Sequence, residues 1–103
     1  MAVLRETAYA RELARAVLEY PGGEVRIERL YVKDPGQEEI RFSWWPDGKM
    51  AQRPLDLPED DLLALFEKGI QQNVFTPSFL QSLKSLLNRL VPTSEGLLSL
   101  ALA

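Results

Sequence analysis

The stretch Glu24-Val25-Arg26-Ile27-Glu28-Arg29-Leu30-Tyr31-Val32-Lys33-Asp34-Pro35-Gly36-Gln37-Glu38-Glu39-Ile40-Arg41-Phe42-Ser43-Trp44-Trp45 decides the fold. Its first part, Glu24 to Lys33, is rich in Val, Ile, Leu and Tyr, which suit a pleated backbone. Val25 and Ile27 share one face, whereas Leu30 and Val32 share the other. Either a bulge near Glu28-Arg29 rotates the strand, or both faces are partly covered. Asp34-Pro35-Gly36 then predicts a type II turn, with proline presetting φ and glycine accepting a positive value. From Gln37 to Trp45, Ile40, Phe42 and Trp44 alternate with Arg41, Ser43 and Trp45, a period of two. The two runs form an antiparallel hairpin.

Working outward, Pro46-Asp47-Gly48 is a second turn. It predicts a third strand over Lys49 to Leu57, placed at a sheet edge by Pro54. On the N-terminal side, Thr7 to Tyr20 reads as a helix. Tyr9, Leu13, Ala16, Val17 and Tyr20 recur at helical spacing, four alanines favour helix, and Pro21-Gly22-Gly23 would stop it. On the C-terminal side, Pro58-Glu59-Asp60-Asp61 is a helix start whose carboxylates suit the positive end of the dipole. Leu62, Leu65, Phe66 and Ile70 supply its apolar stripe. Thr76-Pro77 begins another helix with Phe79, Leu83, Leu86, Leu87 and Leu90 turned inward, ended by Pro92. The short link from Asn73 to Phe75 predicts an antiparallel helical hairpin.

The expected architecture is therefore α+β: a three-stranded antiparallel meander with an N-terminal helix and a C-terminal helical hairpin, in the order α-β-β-β-α-α. A chain of 103 residues accommodates one domain, with residues 92–103 a docking or exchanged C-terminal arm. Hydrophobic residues at 46% are enough to build a core.

Composition removes most chemistry. With no cysteine and no histidine, thiolate sites, cysteine nucleophiles and the commonest general base are all missing. The glycines form no phosphate loop, and the serines lack a nucleophile-elbow pattern. Glu59-Asp60-Asp61 is an acidic helix start, because adjacent helical residues diverge by about 100° and do not converge on a cation. We assign no catalytic, cofactor or metal site and expect no enzyme. The net charge of −3 implies no general attraction to nucleic acid or anionic membrane. No apolar run approaches the ~18 residues of a membrane span. The N-terminus lacks the pattern of a secretory signal, and the cytoplasm is the expected location.

The remaining candidates are contact surfaces. Neighbours in a strand face opposite ways, so Trp44 belongs with Ile40 and Phe42 in the core, and Trp45 with Arg41 and Ser43. An exposed Trp45 beside arginine would anchor a partner or stack a nucleotide base, unless its own chain covers it. Arg26 and Arg53 join Trp45 and Arg41 as candidates on that face. The leucines near the end of the chain, including Leu97, Leu98 and Leu102, form a second apolar surface that docks within the chain or on another subunit. Together these features predict a self-associating protein-interaction module, a homodimer. The alternative is single-stranded nucleic-acid binding around Trp45. In outline the meander and following helix, from Ile40 to Ile70, resemble single-stranded-DNA-binding coactivators that dimerise through such a helix. That resemblance is one of fold and carries no motif.

Overall fold

A computed structural model describes residues 3–91. The fold is α+β: four antiparallel strands in sequential order, followed by two helices. The strands are β1 (Arg5–Glu6), β2 (Ala10–Tyr20), β3 (Gly23–Val32) and β4 (Gln37–Pro46). Helices α1 (Glu59–Gln71) and α2 (Pro77–Leu90) complete it. The sheet has four strands rather than three, and no helix precedes it.

The predicted N-terminal helix is strand β2. Its helical stripe coincides with a strand pattern once one irregularity is admitted. Ala14, Ala16, Leu18 and Tyr20 alternate with Arg15, Val17 and Glu19, and the register with β3 slips between Glu12 and Ala14. Pro21-Gly22 is not a helix stop but a two-residue hairpin turn. It joins the paired residues Tyr20 and Gly23, and Gly22 takes φ +88°. A partner strand at that distance outweighs the helix propensity of alanine. The short β1 pairs Arg5 with Glu12. Glu6 ties it down further, since Lys33 Nζ at 2.7 Å and Arg11 Nε at 3.3 Å hold its carboxyl below the ordinary range.

Strand β3 runs unbroken, so of the two readings of its mixed pattern the covered-on-both-faces one holds; the register shift sits opposite, in β2. The β3–β4 turn has its glycine at positive φ, as predicted. Asp34–Pro35 is cis, Gly36 takes φ +90°, and Gly36 N donates to Val32 O at 2.9 Å. Asp47 and Gly48, both at positive φ, make the next turn, with Lys49 N donating to Pro46 O at 3.2 Å. The third strand predicted over 49–57 does not form. After one hydrogen bond from Ala51 N to Trp44 O, the chain leaves the sheet as a strap. Pro54 and Pro58 deny it a ladder, while Leu55 and Leu57 still pack on the core.

The core lies between one sheet face and α1. It is built from Ala14, Ala16, Val25, Ile27, Leu65, Val74 and Phe75. Small alanines on β2 let the helix approach. Gly69 lets it come closer still, because a Cβ there would stand 3.1 Å from Ile27 Cγ2 and 3.2 Å from Phe75 Cε2. Helix α1 starts where predicted, with Glu59, Asp60 and Asp61 in its first turn. Tyr20 Oη donates to Asp61 Oδ2 at 2.9 Å, fastening the end of β2 to that turn. Only part of the predicted stripe is covered: Leu65 is buried, whereas Leu62 and Ile70 are exposed.

Helix α2 begins where predicted, with Thr76 Oγ1 accepting from Phe79 N at 3.2 Å. It does not fold back into a hairpin. Among the described residues it packs along neither α1 nor any strand, and none of its residues is buried. Phe79, Leu86, Leu87 and Leu90, predicted to face inward, are exposed. The reason is the link: Val74 and Phe75 are themselves core residues, and anchoring them fixes the direction in which α2 departs. Residues 92–103, with Leu97, Leu98 and Leu102, lie outside the described residues.

Leu65 is 0% exposed and meets both the sheet and the link. Leu65→Ala is expected to cost about 2–5 kcal/mol, the range for buried leucines. Leu87→Ala, on the exposed α2, should cost under about 0.5 kcal/mol in dilute solution. Urea melts of both variants at low protein concentration check this.

Candidate functional site

The sheet face away from α1 carries Glu12, Arg15, Val17, Glu24, Arg26, Glu28, Arg41, Ser43 and Trp45, as strand alternation requires. No helix covers it. Its charged groups instead cover one another. Glu28, in the middle of β3, is fully buried. Arg41 grips it with two bonds of 2.9 Å, from Nε to Oε1 and from Nη2 to Oε2. Ser43 Oγ donates to Glu28 Oε1 at 2.7 Å and accepts from Trp45 Nε1 at 2.8 Å. One continuous network thus links a carboxylate, a guanidinium, a hydroxyl and an indole.

Trp45 lies on this face as predicted, but it is 6% exposed. The guanidinium of Arg26 stands 3.8 Å from its ring centroid and that of Arg5 5.1 Å away. Arg26 is itself held by Glu24. The face of the indole is taken by cations of its own chain. Trp44 occupies the opposite face, packed on the core and edge-on to Tyr20 at 6.1 Å. The structure therefore brings together Trp45, Arg26 and Arg41. It separates Arg53, which is exposed on the strap and lines a cavity with Tyr20 and Trp44 on the other side.

Beside Glu28 lies Glu12, 3% exposed, on the neighbouring strand. Arg15 donates to its Oε1 from Nε at 3.0 Å and from Nη2 at 2.7 Å, while Oε2 has no donor. Burial pushes Glu12 up, the adjacent Glu28 adds to this, and Arg15 offsets only part. Burial would raise Glu28 too. The bonds from Arg41 and from Ser43 outweigh it and hold Glu28 at about 2. The two buried carboxyl groups are thus driven apart, Glu12 upward and Glu28 downward.

A cavity of about 390 Å³ opens beside this pair, lined by Arg5, Thr7, Tyr9, Glu12, Arg41 and Met50, among others. Sequence reasoning missed Arg5, Glu12 and Glu28. Glu28 carried a signal, for it falls in phase with Leu30 and Val32 on a strand. Glu12 carried none while its segment read as a helix.

A second surface lies on the opposite face of the sheet, where α1 packs. Phe42, Phe66, Phe75 and Phe79 form an aromatic ladder with centroid separations of 5.9, 5.3 and 5.2 Å. Phe42, Leu55, Leu57, Leu62 and Phe66 line an apolar groove of about 540 Å³. Helix α2 continues from the ladder with its leucines exposed.

The chain has no significant match among family models, curated proteins or solved structures. Its two surfaces are thus read from their chemistry alone. No cluster of three or more potential metal ligands exists among the described residues. None of the described helices is long and apolar enough to cross a membrane.

The carboxyl pair gives stability two opposed pH dependences. Glu28, held low, stabilises the fold above the ordinary carboxylate value, and that contribution is lost as pH falls from 4.5 towards about 2. Glu12, raised, contributes fully below 4.5 and loses its contribution as pH rises through its elevated value. Glu12→Gln, which cannot ionise, is expected to flatten the decline on the alkaline side. Glu28→Gln should cost about 1.5–3 kcal/mol at pH 7 by leaving Arg41 without its carboxylate. Urea melts from pH 3 to pH 8 of the wild type and both variants measure each slope.

Proposed function

We propose that the chain is a non-enzymatic protein-interaction module that self-associates, with α2 docking on α1 and the adjoining groove of a second copy. One observation carries this reading: α2 has 14 residues and none is buried, although Phe79, Leu86, Leu87 and Leu90 form an apolar stripe on it. Phe79, Leu83, Leu86 and Leu90 are spaced four, three and four residues apart, the seam of two helices that pack together. A helix of this length is marginal without a partner for such a face.

Charge selects the partner surface. The charged residues of α2 are Lys84 and Arg89 alone, so two α2 helices side by side gain no ion pair. Helix α1 carries Glu59, Asp60, Asp61 and Glu67 against Lys68, and exposes Leu62, Leu63 and Ile70. An α2 from a second copy finds there both apolar surface and opposite charge. Two-fold symmetry makes the exchange reciprocal, so each copy gives a helix and receives one. The receiving position is the one that a hairpin within a single chain would have filled. The segment at 92–103 belongs to this proposal as an extension of the contact. The lack of cysteine is compatible with a cytoplasmic location.

Single-stranded nucleic-acid binding is the weaker reading. It asks for a free indole face at Trp45, which Arg26 and Arg5 already occupy. Titration with a labelled single strand is expected to show no submicromolar, salt-sensitive binding.

Light scattering coupled to size exclusion tests self-association. The wild type is expected to have twice the chain mass at concentrations on the order of tens of micromolar. Leu86→Asp with Leu90→Asp should give a folded monomer. A monomeric wild type would overturn the proposal. Lys84→Glu with Arg89→Glu should weaken the dimer, and Glu67→Lys in that background should partly restore it. Failure of the restoration, with the dimer otherwise intact, rules out α1 as the receiving surface. Removal of residues 96–103 reports whether that segment contributes.

A further inference from the structure

We propose that the cavity on the open sheet face is a binding site for a small carboxylate with a compact apolar body. Three features of its walls carry the inference. The first is Arg5. Its guanidinium rests over Trp45 and makes no ion pair with any carboxylate among the described residues. A second cation, Arg41, lines the same cavity. It spends Nε and Nη2 on Glu28 and has no hydrogen bond from Nη1 among the described residues. The second feature is apolar: Tyr9, Ala10, Leu30 and Met50 supply hydrocarbon around the two guanidiniums. The third is Glu12, which lines the cavity with its Oε2 buried and unpartnered. Arg15, bound to the other oxygen of Glu12, offsets its charge toward an anion.

The charges facing the carboxyl pair are Arg15 from β2, Arg41 from β4 and Arg5 from β1. Glu28 neutralises one of them, and Arg15 is turned to Glu12 Oε1. The site therefore presents surplus positive charge next to an apolar wall. A carboxylate set between Arg5 and Arg41 gains charge-assisted hydrogen bonds while its body displaces water from hydrocarbon. A cavity of about 390 Å³ suits a small ligand, at the lower end of pocket sizes. No residue of α2 lines this cavity, so the inference stands apart from self-association.

The probes are hexanoate and cyclohexanecarboxylate, with hexanamide and hexylamine as uncharged and cationic counterparts. The two indole N–H resonances of the full-length protein are followed by NMR, since Arg5 lies against Trp45 and Trp44 faces the other way. The carboxylates are expected to shift the Trp45 resonance saturably and leave that of Trp44 in place. Arg5→Gln, on an exposed residue, should weaken them about tenfold, the worth of one charge-assisted bond. Wild-type binding should weaken as pH rises and Glu12 ionises, and Glu12→Gln should remove that dependence. Hexylamine binding in preference to hexanoate, unaltered affinity in Arg5→Gln, or no saturable shift at about 10 mM probe would each overturn the proposal.

Discussion

One constraint governs this fold: a four-stranded sheet has two faces and a single helix covers only one. On the covered side α1 settles onto alanines and a glycine, and the core is apolar. On the other side the described residues supply no second layer. The chain covers that face with its own long side chains, laid along the sheet. Arginine suits this role because its stem is hydrocarbon and its head pairs in a fixed fork. The full burial of Glu28 follows, and so does its dependence on Arg41 and Ser43.

That arrangement makes the open face specific as well as stable. A buried carboxylate with a bidentate partner fixes the relative register of β3 and β4, because a slip of one residue would carry every charge to the apolar side. Trp45 becomes the end of the network, oriented by its Nε1–H and capped by Arg26 and Arg5. The cost is the second carboxyl group. Glu12 is buried next to Glu28 with one oxygen that has no donor, and its carboxyl is pushed above the ordinary range. A carboxyl raised by burial, beside a cavity and an uncommitted arginine, distinguishes this face from a merely solvated one.

The helical end obeys a different logic. The aromatic ladder from Phe42 to Phe79 locks the link between the helices, and Val74 and Phe75 give it the burial that α2 lacks. The helix therefore leaves the domain in a defined direction with its leucines uncovered. An amphipathic helix whose leucines are left uncovered among the described residues is suited to intermolecular contact, because its apolar face gains burial only on a partner.

The sequence by itself determined what local chemistry dictates. The strands over 24–33 and 37–45, the turn at Pro46-Asp47-Gly48, both helix starts and the opposite facing of Trp44 and Trp45 were legible, because each rests on alternation, capping or turn residues a few positions apart. It could not determine β2. Its alanines and its bulge at Leu13 mimic a helical stripe, and only pairing with β3 across Pro21-Gly22 decides between the two. It could not decide that Lys49 to Leu57 leaves the sheet, or that Arg53 falls on the far side from Trp45. The burial of Trp45 and the pairing of Glu12 with Glu28 also came from tertiary structure alone. Both depend on side chains reaching across strands, from residues up to forty positions away, and no local pattern encodes that distance. The exposure of α2 has the same origin. Its apolar stripe is plain in the sequence, but what the stripe faces is set by where the core anchors the link before it.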